Sequence, residues 1–314
     1  MKFTEFAEKS NGEEPQSAIV YGPPKTGKTT LVAQLAKKYK LIWFDIERGA
    51  QTLLTVLPKE YWGNVEIIQI ADSQNEPNAI KTLVKVFTKN QEHKLCDAHG
   101  IVSCMECTKN SAPFTKINLY ALDTETVVVV DSLTQLSDSA MAHALGPVDE
   151  LSKKKIEFDH YDRQGIHLKN ILTAQTRLPC HKVFISHEEE LSQEDGAKKV
   201  CPVGGTRNFS RKVARYFDHA IYTLIKNSSH RSFSASTANP RIQTGSRSGT
   251  DLAKLHDITE LFLAKPEQFK FKSQIEPPKS MSKDDNGGAV AKNPLLEKVA
   301  AAQAAAAAKS SNKG

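Results

Sequence analysis

Apolar residues arrive along this chain in two rhythms. Short unbroken runs have the length and β-branched content of buried strands: SAIVYG (17–22), LIWFDIE (41–47), VEIIQI (65–70), TVVVVD (126–131) and HKVFISHEE (181–189). Between them lie stretches with helical spacing. TTLVAQLAKKYK places Leu31, Val32 and Leu35 on one stripe, and EPNAIKTLVKVFTKN (76–90) does so with Ile80, Leu83, Val84 and Phe87. RQGIHLKNILTAQTRL (163–178) reads as a third helix, and FDHAIYTLI (217–225) and SFSAS (232–236) as later strands. Strands alternating with helices predict an α/β fold, a mostly parallel twisted sheet with helices on both faces.

The pattern stops near residue 273. SQIEPPKSMSKDDNGGAVAK has the Pro/Gly/Ser/Lys composition of a disordered linker. NPLLEKVAAAQAAAAAK then offers Asn293 as N-cap and Pro294 as the first residue of an Ala-rich helix. The expected organisation is a polar segment over 1–16, a core domain over 17–272 and a tail over 273–314.

With 39% hydrophobic and 25% charged residues, the composition is that of a soluble globular protein. No apolar run approaches the roughly 18 residues that span a bilayer. The first residues, MKFTEFAEKSNGEEPQ, are polar and lack the features of a secretory signal, so a cytoplasmic location without membrane contact is expected. There, cysteines stay unpaired or bind metal more often than they form disulfides. The net charge of +6 permits an anionic polymer as partner without requiring one.

Chemistry enters at GPPKTGKT, which matches G-x-x-x-x-G-K-[ST] between a predicted strand and a predicted helix. Gly22, Pro23, Pro24, Lys25, Thr26 and Gly27 would form the phosphate loop, its glycines letting backbone N–H groups close around phosphate oxygens without a Cβ in the way. Lys28 would reach the β and γ phosphates, Thr29 would place its hydroxyl on Mg2+, and Thr30 continues the helix whose positive end faces the same anions. Asp131 ends the hydrophobic strand VVVVD, where a carboxylate holds Mg2+ through water, and ATP is the implied cofactor. Asp45 and Glu47 end LIWFDIE; either carboxylate would serve as general base for an attacking water, or both would be a solvated strand end.

Taken in order, GPPKTGKTT, the strand ending Asp45–x–Glu47, VVVVDS and VFISHEE resemble the RecA-like P-loop ATPase core. The resemblance implies Glu47 as catalytic base. It puts the γ-phosphate sensor, glutamine in RecA itself, at His187 or its neighbour Ser186, where a plain strand-end histidine is the other reading. HYDRQGIHLKNILTAQTRLPCHKVFISHEE and VGGTRNFSRKVARYFDHAIY make the chain similar to phage-encoded single-domain members, described as AAA-family ATPases or RecA-like single-strand annealing proteins. That resemblance covers about 17–265 and implies single-stranded DNA as partner, a homo-oligomer, and DNA contact by the loop after the sensor strand. The corresponding span, 190–212, carries Lys198, Lys199, Arg207, Arg211 and Lys212 and suits a phosphate backbone; a solvated charged loop is the alternative. Arg241 and Arg247 are candidates for arginine fingers toward a neighbouring subunit.

One further segment, CDAHGIVSCMEC, has the spacing C-x2-H-x4-C-x2-C. Cys96, His99, Cys104 and Cys107 would supply the four ligands of a closed zinc site within an insertion over 91–116, with His93 as a spare donor; unligated thiols are the alternative. Such a site has no spare coordination position and no nearby carboxylate base, which argues against metal-assisted catalysis there. Its role is either to clip an insertion too small to hold itself, or to present Lys94, Lys109, Phe114 and Lys116 to single-stranded nucleic acid. Cys180 and Cys201 read as plain buried or loop thiols.

Three functions fit: an ATPase acting on single-stranded DNA in phage recombination, annealing or replication; a helicase or helicase loader; and a nucleotide-gated scaffold of negligible turnover whose tail recruits a single-strand-binding protein.

Overall fold

The computed structural model describes residues 14–147, 155–192, 198–226, 229–233, 241–247 and 257–263. The chain divides into two units, Met1–Glu267 and Gln268–Gly314, and every described residue lies in the first. The expected tail, with Asn293 and Pro294, and most of the segment 1–16 fall outside the described residues.

In chain order the strands are β1 (Ser17–Gly22), β2 (Lys40–Asp45), β3 (Val65–Gln69), β4 (His93–Cys96), β5 (Phe114–Ile117), β6 (Thr126–Asp131), β7 (His181–Ser192), β8 (Lys198–Pro202), β9 (His219–Lys226), β10 (Ser229–Phe233) and β11 (Gly245–Ser246). The main sheet runs β10-β9-β1-β7-β6-β2-β3, parallel from β9 to β3, with β10 and β11 antiparallel on β9. β4 and β5 form a separate antiparallel pair.

Burial explains the unbroken apolar runs. All six residues of β1 and of β6 are buried, so neither strand shows the polar-out alternation of a one-sided sheet. Val128 and Val130 pack on one face with Leu83 and Phe87 of the helix Asn78–Thr88 and Leu168 and Leu172 of the helix Phe158–Ala174. Val127 and Val129 pack on the other face with Val32 of the helix Lys28–Ala33 and with Trp43. Helices on both faces are therefore present as the sequence pattern predicts.

Two differences from the sequence reading matter for the site. Leu133–Leu145 is a helix that the apolar pattern did not announce, because alanines and serines occupy much of its inner face. Its signal is the capping: the Ser132 hydroxyl accepts from the Gln135 amide, and Gly146 follows its last turn. β7 is also longer than HKVFISHEE. It runs on to Ser192 and pairs antiparallel with β8, so the described residues of the expected loop over 190–212 are paired strands followed by the helix Arg207–Val213. No described helix is long and apolar enough to cross a membrane.

Candidate functional site

Parallel register aligns the chemistry. Gly22 pairs with His187, Ile185 with Asp131, and Asp131 with Asp45, so the carboxyl ends of four adjacent strands form one row. At this row the chain order reverses around β1, and such crevices are where open α/β sheets bind ligands.

From β1 the chain enters the phosphate loop at Gly22, φ +150°, where a side chain would collide with the Thr223 carbonyl. Thr26 anchors the loop: its hydroxyl donates to the Pro23 carbonyl at 2.8 Å and lies 2.7 Å from the Thr223 hydroxyl on β9. Lys28 is folded back and buried, with Nζ donating to the carbonyls of Gly22 (3.1 Å) and Pro23 (2.8 Å). Burial pulls its pKa down, opposed by the charges of Glu47 and Asp131. A cation parked on two carbonyls has donors to redirect when phosphate oxygens arrive. The cavity beyond it measures about 460 Å3, and Lys25, Lys28, Thr29, Thr30, Glu47, Asp131 and His187 all face it. Pro24 and Gly27 line it as well, whereas Gly22, Pro23 and Thr26 do not.

Asp131 is 2% exposed, and Thr29 Oγ1 donates to its Oδ2 at 3.4 Å. Burial, and then the charges of Glu47 and Asp45, push its carboxyl up to about 7. A hydroxyl beside crowded, desolvated carboxylates is a hard oxygen donor set in need of a divalent cation, so these residues fit Mg2+.

The two carboxylates of LIWFDIE separate cleanly. Asp45 is wholly buried and accepts from the amides of Gly49 (2.9 Å) and Ala50 (3.2 Å); it is not a solvated strand end and does not line the cavity. Glu47 faces the cavity, accepts a hydrogen bond from the Ser132 hydroxyl, and lies 3.5 Å from His187 Nε2. Ser186 and His187 separate in the same way. Ser186 is buried and donates to the Val203 carbonyl at 2.7 Å, while His187 points into the cavity with its amide donating to Thr134 Oγ1 at 2.9 Å. Sequence reasoning missed Thr223, Ser132 and Thr134. The signal for Ser132 was its place directly after Asp131; Thr223 carried none, because only the fold brings β9 to the loop.

The cysteines come together as their spacing predicts. The ligand atoms of Cys96, His99, Cys104 and Cys107 lie within 4.8 Å of one another, with His99 Nδ1 at 3.9, 3.6 and 3.4 Å from the three sulfurs. A tetrahedral zinc with its usual bond lengths places sulfur and nitrogen about 3.6 Å apart, so the donor set fits. His93 is buried elsewhere, its Nε2 against the Lys89 carbonyl at 3.4 Å, and does not join the cluster. Cys180 and Cys201 are free and buried.

The basic residues after the sensor strand are largely engaged. Lys198 pairs with Glu190 at 2.5 Å, Arg207 with Glu189 at 3.6 Å, and Arg211 donates to the Ser192 carbonyl at 2.7 Å. Lys199 lies on β8, and Lys212 in the last turn of the helix Arg207–Val213. Arg247 is bound within its own chain, to Asp218 at 3.2 Å and to the Arg215 carbonyl, at the end of β9 away from the phosphate loop. Arg241 lies against the hairpin, its carbonyl accepting from the Val200 amide at 2.7 Å.

A family model described as an AAA domain matches residues 14–248. No curated protein matches the chain. Among solved structures, an ATPase from the type III secretion system of pathogenic bacteria shares 11% identity with a TM-score of 0.39, over 67% of this chain and 52% of that one. The chain thus spans about half the length of that ATPase.

Proposed function

Because the chain belongs to the AAA domain family, we propose that it hydrolyses ATP with Mg2+ in the cavity bounded by Lys28, Thr29, Glu47, Asp131 and His187. The observation that carries this reading is Glu47: a carboxylate facing the cavity, held by Ser132 and His187, beside a buried Asp131 carboxylate crowded by the charges of Glu47 and Asp45. ATP supplies the terminal phosphoryl group. Lys28 leaves the loop carbonyls to meet it, Thr29 and Asp131 hold the cation, and Glu47 takes the proton of the attacking water. His187 orients Glu47 and reports the occupied site along β7.

The partner we propose is single-stranded DNA, in recombination, annealing or replication. Supporting this, the strand that carries His187 runs without a break into the hairpin bearing Lys198 and Lys199, followed by Arg207, Arg211 and Lys212. Nucleotide state at His187 would thereby set the hairpin's hold on a phosphate backbone. A homo-oligomer belongs to the same reading, with Arg241, against the hairpin, better placed than Arg247 to reach a neighbour's nucleotide. Zinc in the Cys96–His99–Cys104–Cys107 cluster completes the proposal, as a structural ion with all four ligands from protein.

The test is ATP turnover of wild type, Lys28→Ala and Glu47→Gln with and without single-stranded DNA. Turnover that rises with DNA in wild type and vanishes in both variants is expected. Turnover indifferent to DNA removes the partner, and unimpaired hydrolysis in Glu47→Gln removes the base.

A further inference from the structure

An unbroken series of contacts joins the Cys/His clip to the nucleotide site. The His99 carbonyl accepts from the Ala71 amide at 3.0 Å, just beyond the end of β3. Gly100, φ +63°, lies flat on that same end, where a Cβ would stand 2.5 Å from the Gln69 carbonyl oxygen. Gln69 pairs in register with Asp45, and its Nε2 reaches Asp45 Oδ2 at 3.5 Å; the Ile70 amide donates to the Asp45 carbonyl at 2.9 Å. The buried Asp45 carboxylate then closes the turn after Glu47 through the Gly49 and Ala50 amides. Gly49 packs on the carboxylate of Asp131, with 3.4 Å between a Cβ built there and Oδ2.

The physical need is specific. β3 is a five-residue strand at the edge of the parallel sheet, laddered on one side to β2. Edge strand ends open most readily, and this one bears on Asp45. The clip has its own footing, since Leu95, Val102 and Ile117 enter the main core, so it can brace the end of β3 from outside the sheet.

We propose that the metal-held clip and Asp45 form one positioning unit, in which Gly100 braces Gln69, Gln69 and β3 hold Asp45, and Asp45 fixes the turn that presents Glu47 to the cavity. Asp45 and Gln69 are positioning residues: they touch no nucleotide and act through Glu47. The phosphate loop hangs from β1 and β9 and is untouched by this route, so disturbing the unit slows turnover and spares ATP binding. This rests on the proposed ATPase activity and on zinc as the metal. It predicts that removal of zinc, or oxidation of its thiolates, throttles hydrolysis at a distance.

The experiment compares full-length wild type with Gly100→Ala, Gln69→Ala and, on the exposed face of the clip, Asn110→Ala. Zinc content, fluorescent-ATP affinity, kcat and amide exchange at Gly49 and Ala50 are measured on each. Gly100→Ala lifts the clip off Gln69 with all four ligands intact, and Gln69→Ala cuts the link at an exposed residue that folding tolerates. Both are expected to keep about one zinc, to bind ATP within about twofold of wild type, and to lose about tenfold in kcat, since small misplacement of a catalytic group is costly. Exchange at Gly49 and Ala50 should quicken in both, and Asn110→Ala should match wild type throughout. Unchanged kcat and unchanged exchange in both variants would overturn the linkage. Zinc-free wild type would overturn the metal assignment alone, and wild type without turnover would overturn the ATPase reading alone. In either case the exchange data still judge the link from Gly100 to the turn.

Discussion

His187 Nε2 on β7 lies 3.5 Å from Glu47 Oε1 at the end of β2, although β6 separates the two strands in the sheet. Glu47 reaches across the end of β6 because its amide and that of Ile46 both bond the Asp131 carbonyl, at 3.3 and 2.7 Å. The candidate base, cation ligand and sensor are thus tied through one strand end. His187→Ala should lower kcat about tenfold or more with little change in KM, and a kinetic comparison against wild type checks it.

The phosphate loop depends on a contact from outside it. Thr223→Val removes the hydroxyl opposite Thr26 and keeps the volume, leaving a buried Thr26 with one partner fewer. A lost buried hydrogen bond costs about 1 kcal/mol, so ATP affinity should weaken about fivefold, read by titration with a fluorescent analogue.

Asp131 makes the nucleotide-free protein sensitive to pH. Its folded pKa of about 7 lies above the ordinary carboxyl value near 4, so the folded state binds the proton more tightly. The associated stability is present below about 4 and is lost as pH rises through about 7. Without magnesium, Asp131→Asn should therefore gain in Tm over wild type as pH goes from about 5 to about 8. Magnesium should stabilise wild type most at the upper end of that range, and Asp131→Asn hardly at all. Thermal melts across pH with and without the ion decide it.

His181 and His219 work with the opposite sign. Burial pulls both down to about 4, so the folded state refuses a proton that the unfolded chain accepts below about 6.5. Stability from these two is present above about 6.5 and is lost as pH falls toward about 4. His219→Gln should flatten the acid limb of the urea midpoint between about pH 7 and about pH 5.

Much of this architecture was legible in the sequence, and what was not has identifiable causes. β1, β2, β6 and the phosphate loop were readable because full burial on both faces leaves continuous apolar runs, and because phosphate binding demands GPPKTGKT in sequence. The cluster of Cys96, His99, Cys104 and Cys107 was readable because chelation from tight turns fixes local spacing. Leu133–Leu145 escaped because Ser137, Ser139 and Ala140 pack as well as larger apolar residues in a close helix contact, yet leave little periodicity. The hairpin β7–β8 escaped because HEEELS and KKVCP look like solvated charge until Lys198 and Glu190 are seen to pair across the strands. The different fates of Asp45 and Glu47, two residues apart, could not be read locally: burial by β3 and the Gly49–Ala50 turn decides them.

The central claim is that Glu47 is the base of an ATP-hydrolysing site, and single-turnover hydrolysis of radiolabelled ATP by Glu47→Gln tests it most directly. The variant should bind Mg-ATP with wild-type affinity and release phosphate at least about a hundredfold more slowly. Phosphate release at the wild-type rate, with binding intact, would contradict the assignment.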